Sequence, residues 1–231
     1  MFLKTGELKK LMKSSLKRQQ LKIGRMESEM GDYYLICSDL WGLKVDEDGA
    51  TNKFKAAIME LVGEIPQRGR CQVYEINPDT GIACRGTWDF PDPYQDWLQA
   101  KDSAKDTPLV LTVWPQEYRI YQRESDKGYL AVPRVWTDSM FSSRELEDGE
   151  SMPGQPSLLR TGEGTDILYF KNQISIYWIY SINPGEKSRK TLFLQLEGMD
   201  FSEKDWILKK DNEGRIKDAE GLRPEGDSLP D

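Results

Sequence analysis

"QISIYWIYSINPGEK", residues 173–187, is the stretch that decides the fold. Ile174, Ile176, Trp178, Tyr180 and Ile182 alternate with Ser175, Tyr177, Ile179 and Ser181. A period of two sends the first set to one face of a strand and the second set to the other. Both sets are largely apolar, which predicts a central strand covered on both sides. Tyrosine and tryptophan supply buried area and β preference. "NPGEK" turns the chain. "TLFLQLEGMDF", residues 191–201, then returns as a partner strand with Leu192, Leu194 and Leu196 alternating.

Upstream of this centre the chain reads as alternating helices and strands. Thr5 is placed to cap a first helix, with Leu8, Leu11, Met12, Ser15 and Leu16 on one face. "LKIGRM" predicts a short strand. "DYYLICSDLWGLKVDEDG" predicts one long strand, or two joined near Asp39. Asn52 then caps a second helix that buries Phe54, Ala57, Ile58, Leu61 and Val62, and Gly63 and Pro66 stop it. In "CQVYEINPDTGIACRGTW" two alternating runs flank Asn77–Gly81, a hairpin in which proline and glycine supply the turn dihedrals.

"PYQDWLQAKDSAKD" predicts a short helix, and "PLVLTVW", "EYRIYQRE" and "KGYLAV" predict strands that pair. Pro133 is placed to open a third helix with Val132, Val135, Trp136, Ser139 and Met140 on one face. Residues 145–164 are rich in Gly, Pro, Ser, Glu and Asp and predict a long loop. Ser202 is placed to cap a short helix bearing Trp206 and Ile207. The polar residues 209–231 bury too little to offset their ordering entropy and predict a flexible acidic tail. The fold class is therefore α+β, a mainly antiparallel sheet with three to four helices. The second half repeats part of the first, so two similar halves are expected: 1–105, and a β-rich 106–208.

Composition limits the function classes. The chain has 231 residues, a formal net charge of -7 and no histidine. Its acidity argues against whole-surface affinity for nucleic acid. Without histidine there is no Ser-His-Asp or Cys-His nucleophile, and most zinc enzymes are excluded. No apolar run approaches the roughly 20 residues that span a bilayer, and "MFLKTGELKKLMK" lacks the apolar centre of a signal peptide. Cys37, Cys71 and Cys84 fall on expected strands as small buried hydrophobes, and their odd number fits a reducing cytoplasm. "RTGEGTD" lacks the lysine of a phosphate loop. "DEDG", residues 46–49, lacks the later glutamate of a calcium loop. Asp79 with Gln99-Ala100-Lys101 loosely mimics a nuclease metal motif, but Asp79 belongs to a hairpin turn and Lys101 to the expected short helix. No catalytic, cofactor or metal set emerges.

Two segments are candidate contact sites. Lys9, Lys10, Lys13, Lys17, Arg18, Lys22 and Arg25 are opposed by a single acid, Glu7. Lys10, Lys13 and Lys17 could meet nucleic acid or an acidic protein, but a solvated helix face balancing an acidic body is the favoured reading, because lysine runs are common on amphipathic helices. In "GTWDFPDPYQDW", Trp88, Phe90, Tyr94 and Trp97 interleave with prolines. They form either a partner-binding patch or a seal over the core.

The stretches "LKTGELKKLMKSSLK…LKIGRM", "DYYLICSDLWGLKV" and "NKFKAAIMELVGEIP" resemble uncharacterised proteins of phages and prophages of Gram-positive gut bacteria. The resemblance covers the N-terminal third and carries no catalytic motif. It implies an intracellular, phage-encoded protein. The order helix, strands, helix, hairpin is also similar to one domain of a DNA sliding clamp, a likeness of architecture alone. The expected function is a non-enzymatic protein-binding factor acting on a host or phage protein, or on a second copy of itself. A clamp-like processivity factor is the alternative, and a hydrolase or nuclease comes third.

Overall fold

The computed structural model describes residues 1–77, 79, 81–90, 92–161, 165–182, 196 and 199–201. The helix expected after Ser202, the tail 209–231 and most of the strand expected over 191–201 lie outside the described residues.

Helix α1 (Thr5–Lys17) is followed by strands β1 (Leu21–Met26), β2 (Tyr33–Cys37) and β3 (Trp41–Asp46), then by helix α2 (Asn52–Val62). The hairpin β4 (Arg70–Asn77) and β5 (Gly81–Thr87) leads to helix α3 (Pro93–Gln99). Strands β6 (Asp102–Val113), β7 (Gln116–Arg123), β8 (Tyr129–Pro133), β9 (Ser157–Arg160), β10 (Asp166–Lys171) and β11 (Ser175–Tyr180) complete the described elements. The 11 strands form one sheet in the order β5-β4-β1-β2-β3-β11-β10-β9-β6-β7-β8. Every ladder is antiparallel. The sequence predicts an α+β protein with a mainly antiparallel sheet and three to four helices, and the described residues show that class with three α-helices.

Strand β11 lies between β3 and β10 and is buried along both faces. Ile176 and Trp178 join one core, and Tyr177 and Ile179 join the other. The alternation ends at the strand's ends, because Ile174 and Ile182 pack on the core that holds Tyr177 and Ile179. That first core lies under α1 and α2, with Leu8, Met12, Leu16, Phe54, Ile58 and Leu61 on Ile36, Leu43 and Tyr177. The second core joins Tyr33, Leu35, Cys37, Cys71, Tyr169, Ile176 and Trp178 on the opposite face. Gly42 pairs directly with Trp178, and a Cβ there would come within 1.9 Å of the indole. The ring therefore lies across bare backbone, which explains a glycine inside a central strand.

Several expectations are corrected. Lys4, not Thr5, is the N-cap of α1, and Thr5 is buried in its first turn. Thr51, not Asn52, caps α2, its hydroxyl accepting the Phe54 N–H at 3.2 Å. α3 stops at Gln99, and Lys101 lies beyond it. "DSAKD" begins β6 because Asp102 and Ser103 pair with β9 and Ala104–Asp106 with β7, so ladder bonds override a helical composition. Pro133 closes β8 and is followed by a 3-10 turn, Arg134–Trp136, rather than an α-helix. Trp136 and Met140 are buried, but Val135 faces solvent. The loop expected over 145–164 contains β9, which extends the sheet between β10 and β6. Cys84 is exposed.

Candidate functional site

The segment from Trp88 to Trp97 divides by exposure. Phe90 stacks on Trp178 with centroids 6.0 Å apart. Tyr94 and Trp97 sit 5.4 Å apart and pack on the second core. Asp92 fixes this cover: its Oδ1 accepts the Tyr94 N–H at 3.0 Å and the Lys44 ammonium at 2.9 Å. Lys44 is buried on β3, 4.1 Å from the centroid of the Tyr33 ring. A lysine on a central strand would ordinarily face water, and here the charge is covered by the segment it anchors. Trp88 stays 46% exposed, with the Lys22 ammonium 4.2 Å from its ring centroid.

Trp88 follows β5, an edge strand exposed along nearly its whole length. Ile76 and Ile82 face each other across the β4–β5 hairpin and are 43% and 40% exposed. They share a face with Tyr74, hence with the helices, whereas Lys22 and Trp88 belong to the opposite face. Arg85 is the only charged residue of β5. Such an edge presents backbone groups and apolar side chains without the lysines or prolines that commonly blunt one.

Lys10, Lys13 and Lys17 are all exposed on α1. Lys10 pairs with Glu7 at 2.8 Å, and Lys9 pairs with Glu60 of α2. Burial raises the Cys37 thiol well above its ordinary range and the Cys71 thiol to about 11, so neither is poised as a thiolate. Among the described residues, no group of three or more His, Cys, Asp and Glu could hold a metal ion. Also among them, no helix is long and apolar enough to cross a membrane.

A cavity of about 390 Å3 opens between β6, β7, β10 and the chain over 137–156. Tyr121, Phe141 and Phe170 line it, with Asp106, Asp138 and Lys105 among its polar groups. Arg119 holds Asp138 at 2.5 Å, and Arg134 holds the same carboxylate at 2.7 Å. Burial opposes the Asp138 charge, but these hydrogen bonds outweigh it and keep its carboxyl below the usual range. Asp106 stands 3.7 Å from Arg119, outside hydrogen-bond reach. Lost hydration against the cavity wall pushes its carboxyl up to about 6, opposed by the Arg119 charge and assisted by Asp138. Its side chain is still 59% exposed, so it remains in exchange with water.

No family model, curated protein or solved structure matches this chain. The case for function therefore rests on the surfaces themselves. Sequence reasoning missed the cavity, because Asp106, Tyr121, Asp138 and Phe170 are distant along the chain and share no spacing. It also missed Lys44 and the β5 edge. "LWGLKV" did hold one signal, since a lone glycine in a strand marks a close approach.

Proposed function

We propose that the chain is a non-enzymatic protein-binding factor, phage-encoded, that engages a host or phage protein through the open β5 edge. The observation carrying this reading is that, among the described residues, β5 is unpaired on one side while Ile76, Ile82 and Trp88 remain exposed beside it. An extended partner segment added to such an edge gains main-chain hydrogen bonds, and side-chain pockets on alternate faces give selectivity. Here the two faces differ. One offers the Ile76–Ile82 pair, and the other offers Trp88 with Lys22. The phage assignment is supported by the resemblance of the N-terminal third.

The test is affinity capture from host lysate, with and without infecting phage, by the parent chain and by an Ile82→Lys, Trp88→Ala variant. A lysine on the edge opposes strand addition, and truncating Trp88 removes the exposed ring that follows β5. A specific partner retained by the parent and lost by the variant is expected. Equal capture by both would move the interface elsewhere. Sedimentation of the parent alone identifies the case in which the partner is a second copy.

A further inference from the structure

We propose that the cavity bounded by Tyr121, Phe141, Phe170, Asp106 and Asp138 binds an organic cation of the alkylammonium class. Its volume, about 390 Å3, suits a small molecule or a single long side chain. The lining is aromatic. Phe141 and Phe170 meet edge to face with centroids 4.9 Å apart, and Tyr121 meets Phe170 at 6.4 Å. Rings set at angles around one space attract a cation through their quadrupoles, and alkyl groups on that cation add apolar contact. Met152, Pro153 and Pro156 complete the apolar wall.

The charges distinguish a cation from an anion. Arg119 is engaged by Asp138 at 2.5 Å and by the Thr107 carbonyl at 3.4 Å. Arg134 is shared between Asp138 and Glu117 at 2.7 and 2.9 Å. Lys105, on the same wall, lies in the field of Glu124. Asp106 accepts the Thr107 backbone N–H, and its ion pair with Arg119 is long at 3.7 Å. Of Asp106 and Asp138 it is the carboxylate less committed to a neighbour, since Asp138 is held at 2.5 and 2.7 Å by two guanidinium groups and Asp106 by none within hydrogen-bond reach. A bound ammonium group would supply a nearer positive charge.

Three near-isosteric probes separate charge from shape: choline, 3,3-dimethylbutan-1-ol and 3,3-dimethylbutanoate, followed by calorimetry or by amide chemical shifts of the intact chain. Choline should bind about tenfold more tightly than the alcohol, and the carboxylate most weakly. Asp106→Asn should remove most of the difference between choline and the alcohol. Phe141→Leu should weaken choline more than the alcohol. Asp106 is ionised above about 6, so choline affinity should be full at neutral pH and fall as pH drops through that value. Arg119 stays charged across this range, and Asp138 stays ionised until lower pH. A trimethyllysine peptide run beside choline tells a presented side chain from a free small cation by which of them binds more tightly. Equal affinity for choline and the alcohol, tighter binding of the carboxylate, or no binding of choline would overturn the proposal. The outcome is independent of the β5 edge.

Discussion

Trp178 and Ile82 are both large apolar residues on antiparallel strands of one sheet, yet their surroundings are opposite. Trp178 is 3% exposed, with Gly42 beneath it and Phe90 stacked above. Ile82 stands on an edge with only Ile76 directly across from it. The other edge shows that an end position alone does not cause this. β8 is buried over most of its length. Its Ala131 carbonyl accepts the Ile182 N–H at 2.8 Å, and the single Tyr129 hydroxyl proton is shared between the Leu196 and Met199 carbonyls at 3.0 and 2.9 Å. One edge is thus screened by the chain's own return, and among the described residues the other is left open. β8 is buried where β5 is exposed, so the two edges are expected to differ in how much they contribute to the stability of the sheet.

Truncation at the centre should produce the largest effect. Trp178→Ala empties the space between Gly42 and Phe90 and should cost about 3–5 kcal/mol. Denaturant melts measure it. A loss under about 1 kcal/mol, the size of an ordinary surface change, would erase the contrast between centre and edge.

The cover over the centre should be next. Asp92→Ala removes the cap of α3 and leaves Lys44 buried without its carboxylate, at a combined cost of about 2–3 kcal/mol. The double variant Lys44→Met, Asp92→Ala should recover part of this, because it no longer strands a charge. If the double variant is as unstable as the sum of the single ones, the ion pair is not what holds the aromatic cover in place.

The same contrast explains what could be read in advance. "QISIYWIY" was legible because a buried central strand has only one apolar pattern available to it. The buried stripe of α2 and its Gly63 stop were legible for the same kind of local reason: Gly63 adopts a φ of 83°. β9 was hidden because "SLLR" is too short to show alternation and sits among Gly, Pro and Ser. The third helix was a false reading of Val132, Trp136 and Met140. Their spacing suits a helix, yet the end of a strand and a 3-10 turn bury them just as well. The burial of Lys44 was not legible, because nothing nearby in sequence announces that Asp92 will close over it. Of the candidate aromatic patch, the composition was legible. Its division into three seated rings and one exposed ring depends on Trp178, far along the chain.

The smallest effect is expected at β5. Ile82→Lys should change global stability by less than about 0.5 kcal/mol, because little apolar area is lost when the side chain is already half in water. The lysine can direct its ammonium outward while its stem keeps part of the contact with Ile76. Native-state hydrogen exchange gives a second measure. Amides of β5 should open at far lower free energy than those of β11, since an exposed ribbon separates without breaking either core. A cost for Ile82→Lys comparable to that of Asp92→Ala would mean that β5 is structural, and a binding role for that edge would then have to compete with its part in holding the sheet.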